Sequence, residues 1–176
     1  MKKNFALLIV DVQTNLILAQ PYQKDELICK IQQLLKVCRS HSTDIIYVRH
    51  DDGKGSELEK GTLGWQIYSE IAPAADEQII DKNYNSAFKN TSLQVYLQSK
   101  AITDLIIVGL QTEYCIDATI KVAFELGYSI HIPRQMTSTF DNDYLSAHDL
   151  INYFETKIWD KRYATVCSFK EVLEYL

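Results

Sequence analysis

A chain of 176 residues with 47% hydrophobic content has room for one domain with a sizeable core. Its net charge of −5, with Lys and Arg scattered rather than striped, argues against a general nucleic-acid binder, which needs a basic face. The first apolar run ends at Asp11, too short for a signal-peptide core or a membrane span, and Cys29, Cys38, Cys115 and Cys167 show neither C-x-x-C spacing nor a disulfide framework, so a soluble, reduced, cytoplasmic protein is expected.

The run Phe5-Ala6-Leu7-Leu8-Ile9-Val10 predicts a first, buried strand, closed by Asp11. From Lys24 to Ser40, Leu27, Ile31, Leu34, Leu35 and Cys38 recur at helical spacing and form an apolar stripe. Asp44 to Arg49 reads as the second strand. A loop rich in Gly and charge follows from His50 to Gly64, and then a short helix around Trp65 to Ile71. Gln78 to Asp81 is the third strand, followed at once by Lys82. Thr91 with Gln94 three residues later predicts a capped helix start. Leu105 to Val108 is the fourth strand, and the helix after it, Ile116 to Leu126, stops at Gly127. A fifth strand from Tyr128 to Ile132 ends at Pro133. A long helix from about Asp143 to Ile158, a sixth strand from Tyr163 to Val166, and a helix capped by Ser168 and Glu171 complete the chain.

Strands alternating with helices predict one α/β domain over residues 1–176, a three-layer α/β/α arrangement around a six-stranded, mostly parallel, Rossmann-like sheet. In the order 3-2-1-4-5-6, strands one and four are neighbours at the switch point, where ligands bind beyond the carboxyl ends of strands. That order sets Asp11 beside Cys115, with Lys82 required to reach in from strand three. Cys115 itself falls in the first turn of a helix, where free N–H groups and the dipole favour a thiolate. The same position also suits a small packing thiol, which is how Cys29, Cys38 and Cys167 are read. A thiol beside a carboxylate and an ammonium points to covalent catalysis at a carbonyl. Asp11 would take the thiol proton and return it to the leaving amine. Lys82 would stabilise the developing charge, and backbone N–H groups at the turn would hold the oxyanion.

Three segments carry a family resemblance. Leu8-Ile9-Val10-Asp11-Val12-Gln13, Lys82-Asn83-Tyr84-Asn85-Ser86-Ala87-Phe88 and Ile107 to Thr119, reading IVGLQTEYCIDAT, resemble in order the aspartate, lysine and nucleophile motifs of the isochorismatase-like cysteine hydrolases. That family includes nicotinamidases, N-carbamoylsarcosine amidases and other amide hydrolases. The resemblance implies a catalytic triad of Asp11, Lys82 and Cys115. It also implies a cis peptide at Leu110–Gln111, an oxyanion hole from the Gln111 and Cys115 N–H groups, and a homo-oligomer, dimer or tetramer. It implies no cofactor. The Asp-x-His…His metal pattern of nicotinamidases is absent from Arg49-His50-Asp51-Asp52-Gly53-Lys54, so no metal is expected.

Gln13, Trp65, Tyr84, Phe88, Tyr114 and Phe140 flank the motifs and are candidates to wall the substrate pocket. Glu113 is expected to face solvent or cap the helix. The leading function is hydrolysis of a small-molecule amide or related acyl bond. A vinyl-ether hydrolase of the isochorismatase type and a non-catalytic ligand-binding or thiol-sensing relative are the alternatives.

Overall fold

A computed structural model describes residues 3–176. β1 (Phe5–Val10) lies in the middle of the sheet, paired in parallel with β2 (Asp44–His50) on one side and β4 (Asp104–Leu110) on the other. β3 (Gln78–Lys82) extends the sheet beyond β2, while β5 (Ser129–Pro133) and then β7 (Thr165–Cys167) extend it beyond β4. The resulting order, β3-β2-β1-β4-β5-β7, is the doubly wound arrangement the sequence predicts. One strand is new: β6, Thr137–Ser138, which pairs with Gly109 and Leu110 at the end of β4. Two residues are too few to leave an alternation pattern.

The central strands are apolar throughout because each face of the sheet carries its own core. Successive side chains point to opposite faces. Ala6, Leu8 and Val10 therefore join Leu93 and Leu97 of α3 (Leu93–Ser99) and Ile120 and Ala123 of α4 (Asp117–Glu125). Leu7 and Ile9 join Leu27, Ile31 and Leu34 of the long helix Lys24–Ser40 on the other face, with Val172 of the closing helix Phe169–Tyr175. Ser168 caps that last helix with Glu171 in a reciprocal box, as its spacing predicts.

Several boundaries differ from the sequence reading. A one-turn helix, Thr14–Leu18, follows β1. The predicted helix at Trp65 is reduced to a 3-10 turn, Ser69–Ile71. Thr91 forms no capping box with Gln94. Its hydroxyl donates to Ala87 O at 2.6 Å and accepts from Leu93 N–H, so it ties the preceding loop instead. The long helix starts later than predicted, at Ala147, because the Ser146 side chain caps it and Asn142 accepts from Tyr144 and Leu145 N–H to close the turn before it. It then widens into a π-helical segment, Phe154–Trp159. Cys29 is exposed and is no packing residue, while Cys38 and Cys167 are buried as expected.

Gly109 fixes how closely β1 and β4 approach at the edge that matters. Its φ is 122°, and a Cβ there would overlap the Val10 carbonyl oxygen, one residue before Asp11. Gly109→Ala is expected to destabilise the fold by roughly 3 kcal/mol or more, read from the urea midpoint. A loss below about 1 kcal/mol would show that the strand ends tolerate separation.

Candidate active site

Asp11 is the first residue beyond β1 and adopts a left-handed backbone, φ 53°. This region is open to Asp more readily than to most side chains. Its N–H donates to Val48 O at 3.0 Å, and the residue is almost completely buried. Lys82 ends β3, two strands away, and its side chain is 0% exposed. The ammonium reaches across the ends of β2 and β1. It donates to Asp11 Oδ2 at 2.7 Å, to His50 Nδ1 at 3.0 Å and to Cys115 Sγ at 3.2 Å. An ammonium has three N–H donors, and here three acceptors meet them.

Cys115 stands beyond β4 in a helical segment that opens with a π turn, Thr112–Ile116, and runs on as α4. The Leu110–Gln111 peptide before it is cis. Ile116 N–H donates to Gln111 O, and the Thr112 hydroxyl donates to Ser138 O, which anchors the turn to β6. Burial pushes the Cys115 thiol up to about 12, and the Asp11 carboxylate adds to the rise while Lys82 opposes it. Together these effects favour the thiol over the expected thiolate. Asp11 Oδ1 is buried and has no hydrogen-bond partner among the described residues.

The remainder of the lysine motif is a fastener. Ala87 is fully buried, and its N–H donates to Thr119 Oγ1 of α4 at 3.0 Å, which holds this loop against the helix that follows Cys115. Asn85 Oδ1 lies 3.9 Å from Cys115 Sγ.

A cleft of about 440 Å³ opens above Cys115. Asp11, His50, Gln111 and Cys115 line its inner part, with Leu16, Leu58 and Tyr114 as apolar surface and Asp52 and Glu57 at the exposed lip. Tyr114 is the one flanking aromatic residue of the sequence set that borders it. Tyr84 lies in an adjoining depression shared with His50, Asp52 and Asn85. The others sit elsewhere. Gln13 is buried with its amide spent on His50 O, Trp65 O and His50 N–H. Trp65 is buried under the Arg49 guanidinium, 3.6 Å from the ring centroid. Phe88 packs on the core and stacks on Tyr128. Phe140 is half-buried and does not border the cleft. Glu113 turns inward, accepting from the Thr139 hydroxyl at 2.8 Å.

His50, Asn85, Asp52 and Glu57 were not singled out from sequence as pocket residues. The signal available was His50 at the end of the second strand, the same type of position that marks Asp11 and Lys82.

An isochorismatase domain model matches residues 5–171. The chain is 27% identical to streptothricin hydrolase of Streptomyces noursei over 138 residues, 77% of this chain and 50% of that protein, so it spans about half the length of that relative. It is 27% identical over 153 residues to nicotinamidase 3 of Arabidopsis thaliana, 78% of this chain and 75% of that one. A crystal structure of an isochorismatase family protein superposes with a TM-score of 0.88 at 35% identity, covering 96% of this chain and 100% of that one.

A nicotinamidase-type metal does not fit these residues. Among the described residues, Asp11, His50 and Cys115 bring ligand atoms within 4.8 Å of one another, but the Lys82 ammonium already bonds all three. Asp51, beside His50, accepts from Gly53 and Lys60 N–H and from Asn83. A cation would have to displace a buried ammonium or dismantle that loop. Dialysis against a chelator is therefore expected to leave activity unchanged, with no stoichiometric zinc, iron or manganese in elemental analysis. A metal lost together with activity, and restoring it on return, would reverse this reading.

Proposed function

The chain belongs to the isochorismatase family of hydrolases, and on that footing we propose that it cleaves a small amide or related acyl bond through a thioester on Cys115. The observation that carries this reading is the buried Lys82 ammonium bonded to both the Asp11 carboxylate and the Cys115 sulfur. The raised thiol pKa supports the following order of events. Cys115 keeps its proton until the carbonyl is in place, and Asp11 then removes it as sulfur attacks the carbonyl carbon. The proton moves from Asp11 to the leaving nitrogen as the C–N bond breaks. Water then attacks the thioester, Asp11 again serves as base, and the carboxylic acid leaves as the thiol is restored. The charge that appears on the carbonyl oxygen falls to the Gln111 and Cys115 N–H groups.

Lys82 keeps the negative charge tolerable at each stage, whether it sits on Asp11 or on sulfur. His50 accepts the third Lys82 N–H and so keeps the ammonium aimed. The same proposal carries a small-molecule substrate, a cytoplasmic setting and assembly as a dimer or tetramer.

Cys115→Ala should lower Cys115-dependent hydrolysis by about 10³-fold or more while shifting stability by no more than about 1 kcal/mol. Turnover within about tenfold of the parent would remove Cys115 from the reaction. Asp11→Asn separates base from thiolate stabiliser. The Asp11 charge raises the thiol pKa, so its removal should speed iodoacetamide labelling of Cys115 at pH 8 even as hydrolysis is lost. Slower labelling in a folded Asp11→Asn protein would mean that Asp11 does not hold the thiol protonated.

A further inference from the structure

The cleft above Cys115 carries more negative charge than the proposed chemistry uses. Asp52 and Glu57 both border it, and both are exposed. Other acids of this region are satisfied: Asp81 is paired with Arg49 and Lys60 at 2.8 Å each, Asp51 by backbone and Asn83, and Glu59 by Gly55 N–H. Asp52 and Glu57 are not. Among the described residues Glu57 enters no ion pair, and Asp52 meets only His50 Nε2 at 3.6 Å. The other ring nitrogen, Nδ1, already accepts from the Lys82 ammonium. No Lys or Arg lines the cleft. Of the cations nearby, Lys82 is matched by Asp11, Lys60 by Asp81, and Lys89 stands over the Tyr84 ring at 4.1 Å, while Lys54 in the same loop is exposed and enters no ion pair among the described residues.

Two further features of the same cleft point to a ligand. Asp11, 1% exposed, presents a buried oxygen with no partner. Tyr114, 51% exposed, offers an aromatic face of the kind that attracts cations. An anionic substrate would meet two unmatched carboxylates and no cation in the cleft lining. A cationic one would complete both.

We propose that the substrate is a small amide bearing a positive charge, an ammonium or guanidinium, on the part remote from the scissile carbonyl, held by Asp52, Glu57 and Tyr114; this rests on the cysteine-hydrolase reading above. The cleft volume of about 440 Å³ limits the compound to a small molecule. The contacts are partly solvated, so the preference is read as about a tenfold factor that weakens with salt.

Three amides of matched shape test it: 4-aminobutanamide, neutral pentanamide and anionic succinamate. Ammonia release gives kcat/KM in the parent enzyme, and NMR titration of the Cys115→Ala protein gives affinity without turnover. The cation should bind about tenfold more tightly than pentanamide, with succinamate weakest. In Asp52→Asn/Glu57→Gln the ratio of cation to neutral compound should fall to within about twofold. Equal binding of cation and neutral compound, a ratio unchanged in the double variant, or no cation binding by about 10 mM would each overturn the charge selectivity. Cys115-dependent ammonia release at equal rates from all three amides would sink the selectivity and leave the hydrolase reading in place. Selective cation binding with no Cys115-dependent release from any of them would do the reverse, so the two failures are distinct.

Discussion

A lysine ammonium with no exposure to solvent is costly unless its charge and its N–H groups are both met. In this protein Lys82 is met on all three: by a carboxylate from the end of β1, an imidazole from the end of β2 and a thiol from beyond β4. The parallel register of β3, β2, β1 and β4 delivers those groups to one edge. The close contact at Gly109 brings the last two of these strands together just where Asp11 leaves the sheet. Sheet order and site chemistry are thus one constraint. Slipping any of these strands by a residue would turn its side chains to the other face and leave a buried charge unmatched.

The same electrostatics bear on which form of Cys115 is favoured at rest. A first-turn cysteine beside a lysine suggests a ready thiolate from sequence alone. Burial and the adjacent carboxylate reverse that preference, and the thiol is pushed up to about 12. In the reaction proposed above, the reactive sulfur would form only when a carbonyl arrives to receive it.

Residues at strand ends were legible in the sequence because continuous apolar runs mark the strands, and the first polar residue after each run falls on the edge where sites form. Asp11 and Lys82 directly follow such runs, Cys115 is marked by its place at the junction between a strand run and a helical spacing, and the helix Lys24–Ser40 by its own spacing. What lay in loops was not legible. Asp52 and Glu57 come to the cleft lip through the path of an aperiodic, glycine-rich segment, and no pattern in the chain encodes that path. Proximity to a motif misled in the opposite direction. Gln13, two residues from Asp11, is absorbed by backbone groups of His50 and Trp65, and Trp65 itself is a platform for Arg49. A side chain near a motif in sequence has two faces to choose between, and strand packing rather than chemistry makes the choice.

The proposed reaction passes a covalent acyl group through Cys115. Rapid acid quench during turnover of an amide or activated ester, followed by peptide mapping with mass spectrometry, reads this directly. The Cys115 peptide should gain the mass of the acyl moiety, the adduct should be released by neutral hydroxylamine as a thioester is, and Cys29, Cys38 and Cys167 should remain unmodified. Steady turnover with no adduct at any quench time, or an acyl group mapped to another residue, would contradict it.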